Sequence, residues 1–228
     1  MTIVSFSGID GAGKSTQISQ LESWLRDSRL STRLVTFWDD VVVFCRLREY
    51  ISHRAFKGDQ GIGSPDNPLQ RRDKNVTSGP VTASRFFFYF VDAMSLAFKT
   101  WRLKKTSTDV LIFDRYIYDE LANLPLQSRF VRAFVRMTLS LVPRPDVAYV
   151  IDADPEAAIA RKPEYPLEFL HRNRQAYLDM SRLAGTISVI QPGSIEAMQA
   201  DIRRKITQAL PSRIVPRLQA EVQTSPIS

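Results

Sequence analysis

Cysteine is nearly absent from this chain: Cys45 stands alone among 228 residues. A single thiol excludes an internal disulfide, so the chain suits a reducing compartment, and Cys45 itself reads as a small apolar filler. Long hydrophobic runs are missing too. The most aromatic stretch, "RFFFYFVDAMSLAF", is broken by Asp92 and is shorter than the roughly twenty apolar residues that a membrane span needs. The N-terminus opens directly into an apolar, β-branched segment and shows no basic-then-apolar leader. From these absences we expect a cytoplasmic protein with no membrane partner. Internal repeats are lacking as well, and acidic residues are in deficit. With 31 Lys and Arg against 24 Asp and Glu, the net charge of +7 points to anionic ligands. A hydrophobic content of 44% and a charged content of 24% are ordinary for a globular domain.

The first thing present in strength is "GIDGAGKST", Gly8 to Thr16. It satisfies G-x-x-x-x-G-K-[ST] through Gly8, Gly13, Lys14 and Ser15, a pattern that roughly one chain in a hundred of this size carries by chance. Its context is the one the pattern requires. "TIVSFS" before it reads as a buried strand, and Ile18, Leu21 and Leu25 after it recur at helical spacing. Glycines let successive backbone N–H groups curl round an anion, and the following helix adds the positive end of its dipole. Gly8, Ile9, Asp10, Gly11, Ala12, Gly13, Lys14, Ser15 and Thr16 are therefore expected to cradle the phosphates of a ligand. Lys14, expected to sit exposed in the loop, supplies charge for the β and γ phosphates, and the Ser15 hydroxyl a ligand for Mg²⁺.

Further apolar runs follow at 32–37, 109–113, 146–152 and 186–190, separated by helical patterns. Strands that are apolar throughout and alternate with helices imply an α/β fold with a parallel sheet covered on both faces. Ligands in such sheets sit at the carboxyl ends of the strands. The domain is expected to span 1–210, with a loop insertion near 53–82, a short lid near 161–166 and a flexible tail over 211–228. In the insertion, Arg71, Arg72 and Lys74 would suit a lid that meets phosphate, and a solvated charged loop would look the same.

A second informative stretch is "IFDRYIYDELAN". Asp114 and Arg115 stand where the third strand ends. A carboxylate there can hold a metal-bound water, and a guanidinium can grip a phosphate with two parallel hydrogen bonds. Taken alone, the pair could equally start a helix.

"SGIDGAGKSTQ", "FDRY", "RPDVAYVIDADPEAAIARK" and "EFLHRNRQAYLDM" together resemble the thymidylate kinases and their wider kin among the P-loop nucleotide kinases, over roughly residues 2–207. The resemblance implies the P-loop nucleotide kinase fold, a five-stranded parallel sheet with its third strand beside the first and helices on both faces. It implies ATP bound by the loop residues Gly8 to Thr16, Mg²⁺, and a small phosphate-bearing acceptor, a nucleoside monophosphate such as dTMP. It leaves a homodimer open. By the same resemblance Asp10 contacts the acceptor sugar, Asp114 lies near metal and acceptor, and Arg115 meets the acceptor phosphate. The family stabilises the transferring phosphoryl with an arginine at the position of Gly11 or with arginines in the lid. This loop carries Gly11, so Arg161 in "ARKPEYP" is the expected catalytic arginine, alongside Lys14, Asp114 and Arg115, with Lys162, Arg172 and Arg174 as alternatives.

On the acceptor side the pattern changes. "TFWDDVVVFCRLREY" lacks the family's arginine after the second strand, for which Arg46 and Arg48 could substitute. Tyr89 and Phe90 stand where the family stacks an aromatic ring on thymine, but Ala93 or Met94 occupies the place of the base-reading arginine. Asp119 and Asn123 replace a serine and a tyrosine. A kinase with a hydroxyl acceptor, nucleoside or sugar, therefore stays open, as does a nucleotide-binding protein without turnover. The basic row Arg129, Arg132 and Arg136 supports the last of these. It lacks an interleaved aromatic reading motif, so nucleic acid is not expected as a partner.

Overall fold

The computed structural model describes residues 1–43, 79–212 and 214, with the backbone alone given for 79–82. Five strands form one sheet: β1 Thr2–Ser7, β2 Thr32–Thr36, β3 Val110–Asp114, β4 Val147–Ile151 and β5 Ile187–Ile190. They are all parallel, in the order β2-β3-β1-β4-β5. The expected neighbourhood of the third and first strands is thus observed, with Phe6 paired to Asp114 at the upper end of the ladder. β1, β3 and β4 are buried almost throughout, as apolar strands covered on both faces must be.

Seven α-helices appear among the described residues: α1 Lys14–Asp27, α2 Gly79–Leu103, α3 Ile117–Leu121, α4 Arg129–Leu141, α5 Pro155–Arg161, α6 Leu167–Ala184 and α7 Ile195–Ala209. α1 packs on α7, while α2, α3, α4 and α6 pack on one another. The second strand stops a residue earlier than its apolar run suggests, because Phe37 turns inward and opens a π-helical turn, Phe37–Val41. Most of the 53–82 insertion, with Arg71, Arg72 and Lys74, lies outside the described residues, as do Cys45, Arg46, Arg48 and nearly all of the 211–228 tail. Helix α2 begins at Gly79, so the last residues assigned to the insertion are helical.

Asp92, the charge that interrupts the aromatic stretch, is fully buried on α2 and accepts a hydrogen bond from the backbone N–H of Val43 at 2.7 Å. A buried carboxylate is tolerable when it satisfies a backbone donor in this way, and here it fastens the chain after the π turn. Among the described residues no helix is long and apolar enough to cross a membrane.

Candidate active site

The glycine loop links the end of β1 to α1, and two of its glycines are dictated by contact. At Gly8 the backbone φ is 136°, and a Cβ would lie 2.5 Å from the carbonyl oxygen of Ile151 on β4. At Gly11 φ is 79°, and a Cβ would collide with the carbonyl of Ala158 on α5. The loop is therefore pressed on one side against β4 and on the other against α5, with room for neither side chain.

Lys14 corrects the expectation of an exposed loop cation. It is buried, with 7% of its surface accessible, and its Nζ donates to the carbonyls of Gly8 and Ile9, both at 2.9 Å. The curled loop that presents its N–H groups to a ligand turns two carbonyls back toward its own lysine. Burial, aided by the neighbouring Arg115 charge, pulls the Lys14 pKa down to about 8, although Asp10, Asp119 and Asp114 oppose the shift.

The residues after β3 build the other half of the site. Asp114 closes the strand, and Arg115 follows in the left-handed region at φ 69°, its N–H bonded to the carbonyl of Phe6 at 2.9 Å. A non-glycine residue held there costs roughly 1–3 kcal/mol and persists where its surroundings fix it. Arg115 Nη2 bonds Asp10 in the glycine loop. Nη1 donates to Asp119 Oδ1 at 2.9 Å, to the Tyr177 hydroxyl at 3.1 Å and more weakly to the Gly8 carbonyl at 3.4 Å. Nε–H and one Nη2 hydrogen are left over, two of the five donors of a guanidinium. Burial disfavours the Arg115 charge, but Tyr177, Asp119 and Asp10 outweigh it and raise the pKa. Asp114 is shifted upward by burial, against the pull of Lys14 and Arg115.

Sequence reasoning missed the hub of this cluster. Asp119 is buried and accepts from Ser7 Oγ at 2.6 Å, the Tyr116 N–H at 3.1 Å, Arg115 Nη1 and the Tyr177 hydroxyl at 2.7 Å. The Tyr177 phenol is fully buried, and desolvation together with the Asp119 charge pushes its pKa well up, so it stays a donor. The one local signal was the spacing of Arg115 and Asp119, four apart at a helix start. Ser7 and Tyr177 approach from 112 and 58 residues away. Asp119→Ala should lower stability by about 3 kcal/mol, the lower end for a broken buried pair because Asp10 still holds Arg115. Tyr177→Phe should cost only about 1 kcal/mol. Urea unfolding of the two variants checks this, and equal losses would contradict the placing of Asp119 at the hub.

Arg161 ends α5 with its Nη1 3.9 Å from the place a Cβ on Gly13 would take. Its Nε donates to the Ala157 carbonyl of its own helix at 3.1 Å. The alternatives are tied elsewhere. Arg174 holds the buried Asp152, at the end of β4, through Nε and Nη2 at 2.6 and 2.7 Å; Lys162 pairs with Glu164 at 3.2 Å and Arg172 with Glu168 at 3.8 Å. Among these four cations Arg161 alone makes no ion pair with the described residues.

Tyr89 and Phe90 are not brought together. Tyr89 is half-buried against the core, while Phe90 joins an outward row with Phe87, Met94, Phe98 and Trp101. Neighbours in a helix differ by about 100° in direction, so one of the two faces inward and the other out.

No protein-family model matches the chain. Among curated proteins it is 29% identical over 220 residues to a probable thymidylate kinase of Pyrobaculum aerophilum, covering 92% of this chain and 98% of that one. It is 26% identical over 233 residues to a thymidylate kinase of Symbiobacterium thermophilum, with 92% and 94% covered. Solved structures with the same fold include the thymidylate kinase of Candida albicans, at a TM-score of 0.58 and 18% identity with 91% of each chain covered. That of Ehrlichia chaffeensis gives a TM-score of 0.54 at 18% identity, covering 90% of this chain and 98% of the other. In sequence and in fold, along nearly its whole length, the chain is thymidylate kinase-like.

Proposed function

We propose that this protein transfers the γ-phosphoryl group of ATP to a nucleoside monophosphate, with dTMP as the acceptor the relatives' names indicate. The observation that carries this reading is the bond between Arg115 and Asp10. It holds a guanidinium with two unspent donors directly beside the glycine loop, so an acceptor phosphate gripped by Arg115 would lie close to a donor phosphate in the loop. The loop's N–H groups and the start of α1 receive the donor phosphates. Lys14 leaves the carbonyls of Gly8 and Ile9 for phosphate oxygens, and Arg161 lies beside Gly13 to meet charge as it spreads over the moving phosphoryl.

Mg²⁺ fits the residues present. Asp114 makes no side-chain hydrogen bond among the described residues, and burial already penalises its charge, so a cation beside it would relieve that cost. Ser15 and Asp114 would hold the ion, which supplies charge neutralisation on the donor phosphates. No cluster of three or more His, Cys, Asp or Glu capable of holding a metal occurs among the described residues, so phosphate oxygens and water would complete its shell.

A hydroxyl acceptor draws on the same cluster, where the carboxylates of Asp10, Asp114 and Asp119 outnumber the cations Lys14 and Arg115. An ADP-release assay over nucleoside monophosphates, nucleosides and sugars separates the readings. Turnover with dTMP or a related monophosphate is expected. Turnover confined to a nucleoside or sugar would replace the acceptor, and none at all would leave only nucleotide binding.

The lone cysteine suits a cytoplasmic enzyme. A homodimer is supported by the outward row on α2, where Phe87, Phe90, Met94, Phe98 and Trp101 are 37–60% exposed, at spacings of three to four residues. Phe130, 71% exposed, lies against Phe86 of α2 and extends the apolar face onto α4. Trp101→Glu with Phe98→Glu should convert a dimer to a monomer in sedimentation experiments. A wild type that sediments as a monomer at assay concentrations would exclude the dimer.

A further inference from the structure

Helix α4 starts against the usual electrostatic preference. Arg129 and Arg132 occupy its first turn with no acid among them, although the N-terminal end of a helix is the positive end of its dipole. Arg136 continues the same row, at the spacing i, i+3, i+7 that keeps like charges adjacent and destabilises an isolated helix. None of the three makes an ion pair among the described residues. Ser128 at the N-cap gives the first turn no side-chain hydrogen bond.

Across from this row stands Arg182 of α6. With Asp179 beside it, the group lines an open cavity of about 680 Å³. The Asp179 carboxylate is already engaged, accepting from Arg182 Nη1 at 2.9 Å and from Gln175 Nε2 at 2.9 Å. Four guanidiniums therefore face one carboxylate that is itself occupied. No residue of the glycine loop, of Asp114 and Arg115, or of the lid lines this cavity.

We propose that the cavity is a second anion site, which takes the phosphate chain of a small molecule bearing two or more adjacent phosphates. The arginine row runs for about 10 Å along the helix at 1.5 Å per residue, long enough to grip several phosphates in line. Guanidinium forks match phosphate oxygens two at a time. The volume lies in the range of small-ligand sites, roughly 300–1,000 Å³. Among the described residues no aromatic side chain lines the cavity, so stacked bases of single-stranded nucleic acid would find no platform there. An anion in place would reverse each local cost, satisfying the arginines and the open first turn together. The site shares no residue with the kinase centre and does not rest on the kinase reading.

Titration calorimetry of the full chain with inorganic tripolyphosphate, at near-physiological salt, tests it. The glycine loop can also accept this probe, so two sites are expected in the wild type. R129Q/R132Q/R136Q should keep the loop site and weaken the other by roughly a hundredfold, whereas Lys14→Ala should do the reverse. R132Q alone, a milder change, should weaken the cavity site by about five- to tenfold and serves if the triple variant does not fold. Higher salt should weaken binding to these exposed charges. Two unchanged sites in the arginine variants overturn the proposal. So does a single-stranded oligonucleotide that binds the wild type more tightly than tripolyphosphate and is lost in the same variants. Failure of the kinase reading would show in the acceptor assay and leave these titrations unaltered.

Discussion

Lys14→Met should abolish measurable phosphoryl transfer without unfolding the protein. Removing one donor aimed at charge in the transition state costs roughly 10²–10³-fold in rate, and Lys14 offers a full charge from a buried position. The effect on stability has the opposite sign from the usual loss of a buried polar side chain. Burial holds the lysine at a pKa of about 8 against 10.5 when it is solvated, so the unfolded chain binds more protons between those values. Stability of the wild type should therefore rise as pH climbs from about 8 to about 10.5, and Lys14→Met should lack this rise. The same titration shapes turnover, because only the ammonium form attracts phosphate. A descending limb near pH 8 in kcat/KM is expected, and Lys14→Arg should remove it. Thermal unfolding and rate profiles across this pH range check both parts, and full turnover in Lys14→Met would remove the glycine loop from the chemistry.

Arg161→Ala should lower kcat by about 10³-fold or more while raising the KM for ATP only a little. Arginines that meet the transferring phosphoryl are worth roughly 10³–10⁵ in rate, since they act where negative charge spreads during the reaction. The expectation rests on Arg161, at the end of α5 beside Gly13, having no carboxylate partner among the described residues, unlike Lys162, Arg172 and Arg174. Separate measurement of kcat and KM decides it. A higher KM at unchanged kcat would make Arg161 a ground-state contact, and the catalytic charge would then have to come from Lys162 or Arg172. Arg174 is the weakest substitute, because freeing it would strand the buried Asp152.

The donor half of the site was legible because its logic is local. Strand, glycines, lysine and helix follow one another within some twenty residues, and each is required by a backbone conformation or by contact with an anion. The placing of the third strand beside the first was legible from the resemblance, and the buried character of β1, β3 and β4 from their largely apolar runs. Asp119 was read only as a departure from the family's serine. Its role depends on Ser7 and Tyr177, which arrive from distant strands and helices, and no spacing rule links them. The inward turn of Lys14 was hidden for a different reason. It depends on which carbonyls the curled loop leaves without partners, and that is a property of three-dimensional backbone geometry. Tyr89 and Phe90 show the reverse limit: the resemblance assigns both to one stacking position, and helical rotation sends them to different faces.

The tight seat of Gly11 under Ala158 also bears on how such an enzyme can change over time. The loop and α5 touch where any side chain at Gly11 would have to stand, so an arginine delivered from the loop and an arginine delivered from α5 are mutually exclusive designs. Gly11→Arg in this chain would displace α5 and with it Arg161, the arginine we propose to meet the transferring phosphoryl. Pairing it with Arg161→Gly would not relieve the clash, because the obstruction is the backbone of Ala158 and not the arginine, so α5 itself would have to be rebuilt.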